Sequence, residues 1–366
     1  MSVRVLFNQW FSSIAPVIED LKKRFKDDIY VIGTSLNKNH AYKDVCDKFI
    51  VENDFEHLMD KDARDKAYID QMLNICADED VDVFFVRKNA MLIAKNRRLF
   101  EHFGIKLVLE DTSVLEILDS KSSAYNALSA DFSDIIPNYI NLRGLAGELL
   151  RNTAYNVVKD SGCNGGPLWC LKLDTDEGGG SYRLIEGDTE LDFDSLKYCR
   201  FNRLSKQETL KLLDNCSEEE ISKLIFMEKL ASPEISVDCY NSRKGFIAIC
   251  REKLPGTRLE RIYRDKWLAS TCERLAKTLG LNNIFNAQFM FDSSFTGLYR
   301  REKIRLLEIN PRMSGGTYYQ TMLGLNLADV CLRDKIGDTS YNIDDYLKFN
   351  ETTVTHVEKA MIIEEE

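Results

Sequence analysis

Residues 303–317 read KIRLLEINPRMSGGT, and this stretch decides how the rest of the chain is read. Ile304, Leu306, Leu307 and Ile309 make an apolar strand interrupted by Arg305 and Glu308, and Pro311 with the Gly315, Gly316 pair ends it in a polar corner. Glu308 and Asn310 lie two apart, so in an extended chain both side chains leave one face and offer two oxygens to a hard cation. Arg312 follows as a fixed positive fork. Working outward, NIFNAQFMFD at 283–292 is a second strand, with Asn286, Gln288 and Met290 on one face. Two neighbouring strands would thus present Gln288, Glu308 and Asn310 together, an oxygen-only set suited to Mg²⁺ that leaves sites for phosphate and water.

The wider composition narrows the chemistry. The chain has 366 residues, enough for two or three core-bearing units, because single cores stop growing at about 250 to 300 residues. No apolar run approaches the roughly 18 residues a membrane span needs, and no signal peptide is read, so cytoplasm is the consistent compartment. Ten cysteines are scattered without a CxxC pair and read as reduced packing residues. A net charge of −10 repels a phosphate backbone, which excludes nucleic acid as the main partner and makes any phosphate site a local one. The four histidines stand in no metal-binding spacing, so chemistry built on a histidine base is not expected.

In chain order, buried strands at 3–7, 29–33, 81–86 and 106–110 alternate with helical stretches at 14–25, 64–78 and 90–103. That alternation predicts a doubly wound parallel sheet, although the loop after the first strand, NQWFSS, lacks the GxGxxG fingerprint. Asn8, Gln9 and Ser12 in that loop are candidates for substrate contact, against the competing reading of an ordinary turn. Asp119 and Ser120 are placed to cap a helix whose first turn holds Lys121, a position where the macrodipole disfavours a cation unless an anion is near. NVVKD at 156–160 reads as a strand carrying Lys159 into SGCNGGP, where Gly162, Gly165 and Gly166 permit a flap over phosphates. The second glycine cluster, Gly178 to Gly180, reads as a turn between strands with no ligand role. Segments 224–230, 234–240 and 245–252 read as three strands of one antiparallel sheet. A helix at 265–280, another from 318 to 334 and a strand near 354–363 complete the reading.

Taken in this order, the pieces resemble the ATP-grasp superfamily over nearly the whole chain. The resemblance rests on Lys121 before a helix, Lys159 before a glycine-rich turn, and FMEKLASPEISVD followed by NAQF and LLEINPRMSGG. Within the superfamily the chain looks most like ATP-grasp proteins encoded with tellurium-resistance clusters, and its Gln288, Glu308, Asn310 trio is similar to the metal set of carbamoyl-phosphate synthetase-like members. The fold so implied is α/β, becoming α+β in the C-terminal part. It would comprise a Rossmann-like pre-ATP-grasp domain (1–110), a small flap-bearing subdomain (111–230) and a C-terminal subdomain with the metal site (231–366).

The resemblance further implies ATP with Mg²⁺, or Mn²⁺ in its place. Lys121 and Lys159 would hold phosphates under the flap glycines, Glu228 and the Lys229, Leu230 backbone the adenine edge, and Glu234 the ribose. Gln288, Glu308 and Asn310 would be the metal ligands, with Arg251 and Arg312 facing the transferred phosphoryl group. The implied reaction activates a small-molecule carboxylate as an acyl phosphate for attack by an amine. Alternatives are a kinase-like enzyme that releases a carboxyl or carbamoyl phosphate, and a nucleotide-binding regulatory protein without turnover. A homodimer is the implied assembly.

Overall fold

Near-continuous apolar strands and amphipathic helices alternate through the N-terminal third as the periodicity predicts. β1 (Val3–Asn8), α1 (Ala15–Phe25), β2 (Ile29–Ser35), β3 (Lys48–Val51), α2 (Lys61–Asp78), β4 (Val83–Phe85), α3 (Ala90–Lys95), α4 (Arg97–His102) and β5 (Lys106–Val108) follow one another. The strands form a five-stranded sheet of order β3-β2-β1-β4-β5, every pair parallel. The order reverses direction between β1 and β4, the switch point of a doubly wound sheet. In α1, Val17, Ile18, Leu21 and Phe25 recur at helical spacing and are buried, and Pro16 sits in the first turn, where no helical hydrogen bond is lost. The short β3 was not anticipated, because none of its four residues is buried and their exposure does not alternate.

The structure is a computed structural model describing residues 2–175, 179–186, 202–297 and 299–357. Its middle part comprises α5 (Thr112–Leu118), α6 (Lys121–Leu128), β6 (Tyr139–Asn141), α7 (Gly147–Asp160), β7 (Trp169–Leu173), β8 (Arg183–Glu186), β9 (Arg203–Ser205), α8 (Lys206–Asn215), α9 (Glu218–Ser222) and β10 (Leu224–Glu228). Their sheet has the order β6-β10-β7-β8-β9. The strand expected at 156–160 is instead the last turn of α7. Leu150, Ala154, Val157 and Val158 recur every three to four residues and bury one face against Leu171, Ile185, Leu213 and Phe226, so the helical period overrides the β preference of the valine pair.

The C-terminal part contains β11 (Ala231–Ser242), β12 (Gly245–Lys253), β13 (Leu259–Tyr263), α10 (Lys266–Leu279), β14 (Phe285–Phe291), β15 (Ile304–Asn310), α11 (Thr317–Thr321), α12 (Leu327–Ile336), α13 (Asp344–Leu347) and β16 (Thr352–Thr355). The sheet order is β15-β14-β11-β12-β13-β16, and β11, β12, β13 and β16 pair antiparallel in turn. Two expectations are corrected. β10 belongs to the preceding sheet, so the three strands at 224–252 are not one meander. The helix expected from 318 to 334 is two, divided at Gly324, whose φ of +81° ends a right-handed run, and restarted by Asn326, which caps α12 through Ala328 N. The strand expected near 354–363 overlaps β16 only at Val354 and Thr355; His356 and Val357 lie past the strand's end, and the rest falls outside the described residues.

Contacts group the chain into two units. Unit 1 holds Met1–Glu116, Ile235–Ala287 and Ile309–Glu366; unit 2 holds Ile117–Glu234 and Gln288–Glu308. Within unit 1, Val17, Ile18 and Leu21 of α1 share a core with Tyr240, Ile249, Leu327, Val330 and Cys331, so distant segments close one hydrophobic cluster. The nine cysteines among the described residues are all free thiols, six of them buried. No described helix is long and apolar enough to cross a membrane.

Candidate functional site

In unit 2, α6 and β15 are locked together by a buried tyrosine. Tyr125, one turn after Lys121, donates to the carbonyl of Leu307 at 2.6 Å, and Leu306 N donates to Ile135 O at 2.7 Å. This fixes the Glu308 carboxylate beside the start of α6, where its Oε2 lies 3.3 Å from Lys121 Nζ. The helix start is stabilised as the capping signal predicts, with Ser120 Oγ accepting from Ser123 N. The buried Asp174 carboxylate accepts from Ser122 N at 2.9 Å. Asp174 and Glu308 therefore answer the misplaced cation in the first turn: two carboxylates offset Lys121 and the helix dipole together.

Beside this pair lies Lys172, which the sequence reading passed over. It sits on the interior strand β7, opposite Ile225 of β10, and is only 6 % exposed. Among the described residues no carboxylate forms an ion pair with it. Burial pushes its ammonium down to about 8, the proximity of Lys121 pushes it further the same way, and Cys170, Glu308 and Asp174 only partly compensate. A buried lysine with no ion-pair partner among the described residues, next to a second lysine, has the electrostatic character of an anion site. The signal was present in WCLKL: a lysine at an interior strand position running directly into DTDEGGGS. Of that second glycine cluster, Gly179 and Gly180 lie in the turn between the antiparallel strands β7 and β8, as expected, and Gly178 falls outside the described residues; Ser181 Oγ accepts from Leu173 N at 2.9 Å.

The residues predicted for nucleotide contact fare differently. Lys159 is exposed at the C-terminal turn of α7, and among the described residues no hydrogen bond or ion pair joins it to Lys121, Lys172 or Glu308. The SGCNGGP loop folds on itself: Gly162 N donates to Pro167 O at 3.0 Å and Gly166 N to Cys163 O at 2.8 Å, so two of the amides expected to cradle phosphate are spent internally. Gly162 and Gly165 have φ of +67° and +75°, which accounts for both glycines as turn formers. Glu228 is buried, and its carboxylate accepts from Asn138 N at 3.1 Å and Asn138 Nδ2 at 2.9 Å. The Lys229 amide donates to Leu168 O at 2.7 Å. Leu230 follows at the end of β10, and Glu234 lies half-buried in β11.

The unit boundary passes through β14 and β15. Gln288 and Glu308 belong to unit 2, while Asn310, Arg312 and Arg251 belong to unit 1. Within unit 1, Arg251 on β12 is 2 % exposed and fully engaged. Its Nε donates to Asp238 Oδ2 at 2.7 Å, Nη1 to Glu260 Oε2 at 2.7 Å and Nη2 to Ser314 Oγ at 2.8 Å. A methyl group at Gly316 would stand 2.1 Å from Arg251 Nη1, so the second glycine of the SGG turn is required by this close approach. The arginine expected to face a phosphoryl group is thus the clamp that shapes the turn after Arg312. Arg312 itself donates from Nη1 to Met313 O at 3.1 Å, with its guanidinium carbon 5.8 Å from the centre of the Phe11 ring.

Comparisons with known proteins agree with this architecture. Residues 220–360 match the family described as ATP-grasp in the biosynthetic pathway with Ter operon. No curated protein sequence matches the chain. Among solved structures, it is similar to the biotin carboxylase domain dimer of Hydrogenobacter thermophilus 2-oxoglutarate carboxylase in complex with MgADP, ADP and bicarbonate, with a TM-score of 0.62 and 15 % identity over 94 % of this chain and 72 % of that one. It is similar to a Campylobacter jejuni biotin carboxylase–ATP complex, with a TM-score of 0.61 and 15 % identity over 94 % and 73 %. The ADP complex of N5-carboxyaminoimidazole synthetase from Staphylococcus aureus gives a TM-score of 0.61 and 13 % identity over 93 % and 80 %. At such identities the likeness is one of fold. The Ter-operon ATP-grasp family match covers residues 220–360, and over nearly its whole length the chain has the fold of these solved structures.

Proposed function

We propose that the protein is an ATP-dependent ligase that activates a small carboxylate as an acyl phosphate for attack by an amine, releasing ADP and phosphate. The observation that carries this reading is Lys172: a buried ammonium with no ion-pair partner among the described residues, 6 % exposed, beside Lys121 and only partly compensated by Glu308 and Asp174. Lys121 and Lys172 would bind phosphate oxygens, and the Asp174 carboxylate holds the start of α6 in place for them. Lys159 and Gly162, Gly165 and Gly166, assigned to the phosphates by family pattern, have less support, because two of those amides are used within their own turn. Glu228, Lys229, Leu230 and Glu234 remain proposed for the adenosine, and Arg312 for the transferred group. The division of labour into residues 1–110, 111–230 and 231–366 is likewise a proposal.

The donor chemistry fits a hard divalent cation. Gln288, Glu308 and Asn310 offer oxygens only, and the described residues contain no cluster of three His, Cys, Asp or Glu side chains to compete. One carboxylate makes a weak site alone, so phosphate oxygens would complete it. Bound there, Mg²⁺ or Mn²⁺ would neutralise charge on the phosphates. The chain's own part is positioning and charge balance, which phosphoryl transfer chiefly demands. Dimerisation, named for one structural relative, is proposed here on that analogy only.

Proton linkage tests the nucleotide site. An anion beside Lys172 stabilises its charged form, so ATP binding, measured in EDTA to remove metal, draws in a proton at pH values between about 8 and the ordinary lysine value of 10.5. Below about pH 7 the lysine is already charged and the uptake vanishes. Calorimetry in buffers of different ionisation enthalpy reads the uptake directly, and Lys172→Met is expected to abolish it and to weaken ATP binding. ATP binding with no proton uptake at pH 8.5 would remove Lys172 from the phosphate site. The reaction itself is tested by an ADP-release screen over pooled amino acids, small carboxylic acids and bicarbonate, with mass spectrometry of any active pool; an amine-dependent amide supports ligation.

A further inference from the structure

The outer edge of the N-terminal sheet carries a groove that the nucleotide chemistry does not use, entirely within unit 1. β3 is the terminal strand of its sheet, and among the described residues no strand pairs with its far side. Glu52 N, just past the strand, donates to Ser35 O at 2.9 Å, and Ile50 stands in register with Thr34. Backbone groups alternate in direction along a strand, so Phe49 and Val51 turn theirs to the open edge. Val51 is also 50 % exposed, an apolar side chain on an unpaired edge. A lysine commonly guards such an edge, but the Lys48 ammonium is drawn onto the Glu79 carboxylate at the end of α2.

Helix α2 forms the wall of the groove. Asp70, Gln71, Asn74 and Asp78 recur at helical spacing and, with Ile50 and Phe55 opposite, line a cavity of about 480 Å³. Gln71 Oε1 accepts from Asn53 N at 2.8 Å, and its Nε2 is buried with no acceptor among the described residues. A buried amide hydrogen without a partner costs free energy that an incoming carbonyl would recover. The charged lining is acidic throughout: Asp70, which pairs with Lys66 at the surface, and Asp78, which has no ion pair among the described residues. These carboxylates are separated by about 12 Å along the helix axis at 1.5 Å per residue. Residues i and i+4 of an extended chain are about 13 Å apart and leave one face. An extended segment lying beside β3 would therefore set two cations against Asp70 and Asp78.

We propose that this groove takes an extended basic segment of a partner protein as an added strand beside β3, with Lys or Arg at positions i and i+4 facing Asp70 and Asp78. Charge decides against a second copy, which would bring its own acidic α2 and a net charge of −10 to the same groove. Main-chain bonds to Phe49 and Val51 would supply affinity and the α2 stripe selectivity, the division of labour that applies when a peptide extends a sheet. The proposal is independent of the ligase reading.

The test titrates the full chain by fluorescence anisotropy with fluorescein-labelled Lys-Thr-Val-Thr-Lys, whose lysines and valine share one face, and with Glu-Thr-Val-Thr-Glu. Amide hydrogen exchange is followed in the complex. The lysine probe is expected to bind with a Kd below about 1 mM, more weakly as salt is raised, and to slow exchange at the Phe49 and Val51 amides. Asp70→Asn combined with Asp78→Asn should weaken it by about threefold to tenfold, the scale of two exposed ion pairs. Val51→Pro removes an edge N–H that no ladder bond uses, and should abolish binding with the melting midpoint kept. Should that variant lower the midpoint, the aspartate variant, altered only at the groove rim, decides. No binding up to about 1 mM, equal binding of the glutamate probe, undiminished binding in the aspartate variant or in a folded Val51→Pro, or binding without slowed exchange would each overturn the proposal. Concentration-dependent dimerisation in sedimentation that Val51→Pro abolishes would give the edge to a second copy and overturn it likewise.

Discussion

Replacing Arg251 by methionine is expected to destabilise unit 1 by about 3–5 kcal/mol, because it strands two buried carboxylates whose partner has been removed. Asp238 is 0 % exposed and Glu260 9 %. Asp238 retains Asn286 Nδ2 at 2.9 Å and Ser314 Oγ at 2.9 Å, so its hydrogen bonds are partly kept while its charge is uncompensated. Thermal denaturation should show the midpoint fall by roughly 6–20 °C, on the scale of about 2–4 °C per kcal/mol for a unit of this size. Adding Asp238→Asn and Glu260→Gln should recover part of the loss, since the penalty is one of unpaired charge. A midpoint unchanged in the single variant would show that the guanidinium is not the clamp described here. Because the same guanidinium holds Ser314 and presses on Gly316, the variant should also lose activity in the folded fraction, through displacement of the turn beside Arg312.

Glu308→Gln should behave in the opposite manner, with stability kept and turnover lost. The Lys121–Glu308 pair is 3.3 Å long, with side chains only 10 % and 19 % exposed, but the substituted amide keeps an acceptor for Lys121, so the loss should cost about 1–2 kcal/mol, well below the Arg251 change. The lost carboxylate, the only one in the proposed metal set, should lower ADP release by about 100-fold or more with whichever acceptor pool proves active. ADP release at the wild-type rate, with an unchanged melting midpoint, would remove Glu308 from the catalytic centre. The contrast between the variants separates a carboxylate kept for chemistry from an arginine kept for architecture.

The two strands that carry Gln288, Glu308 and Asn310, and the corner that carries Arg312, were legible because strand alternation and a proline–glycine stop are local properties of the chain. The same holds for the cap at Ser120 and the amphipathic faces of α1 and α10. Lys159 was misplaced for an equally local reason: NVVKD has β-branched residues beside a glycine-rich turn, and only the packing of Leu150, Ala154, Val157 and Val158 on Leu171 and Phe226 reveals that the segment is helical. Lys172 escaped notice because its meaning lies in burial and in the lysine brought next to it from 51 positions earlier in the sequence.

By itself, then, the sequence determined the parallel α/β opening, the antiparallel β11–β12 pair and the strand with its polar corner, since each depends on periodicity and turn chemistry within a few residues. Only the tertiary structure decided that Arg251 is buried between Asp238 and Glu260, that Lys172 is buried with no ion-pair partner among the described residues, and that the Arg312 guanidinium lies over the Phe11 ring. These are facts about electrostatic neighbours across long sequence separations. Desolvation and charge pairing are set by what folding brings together, and no local pattern encodes them.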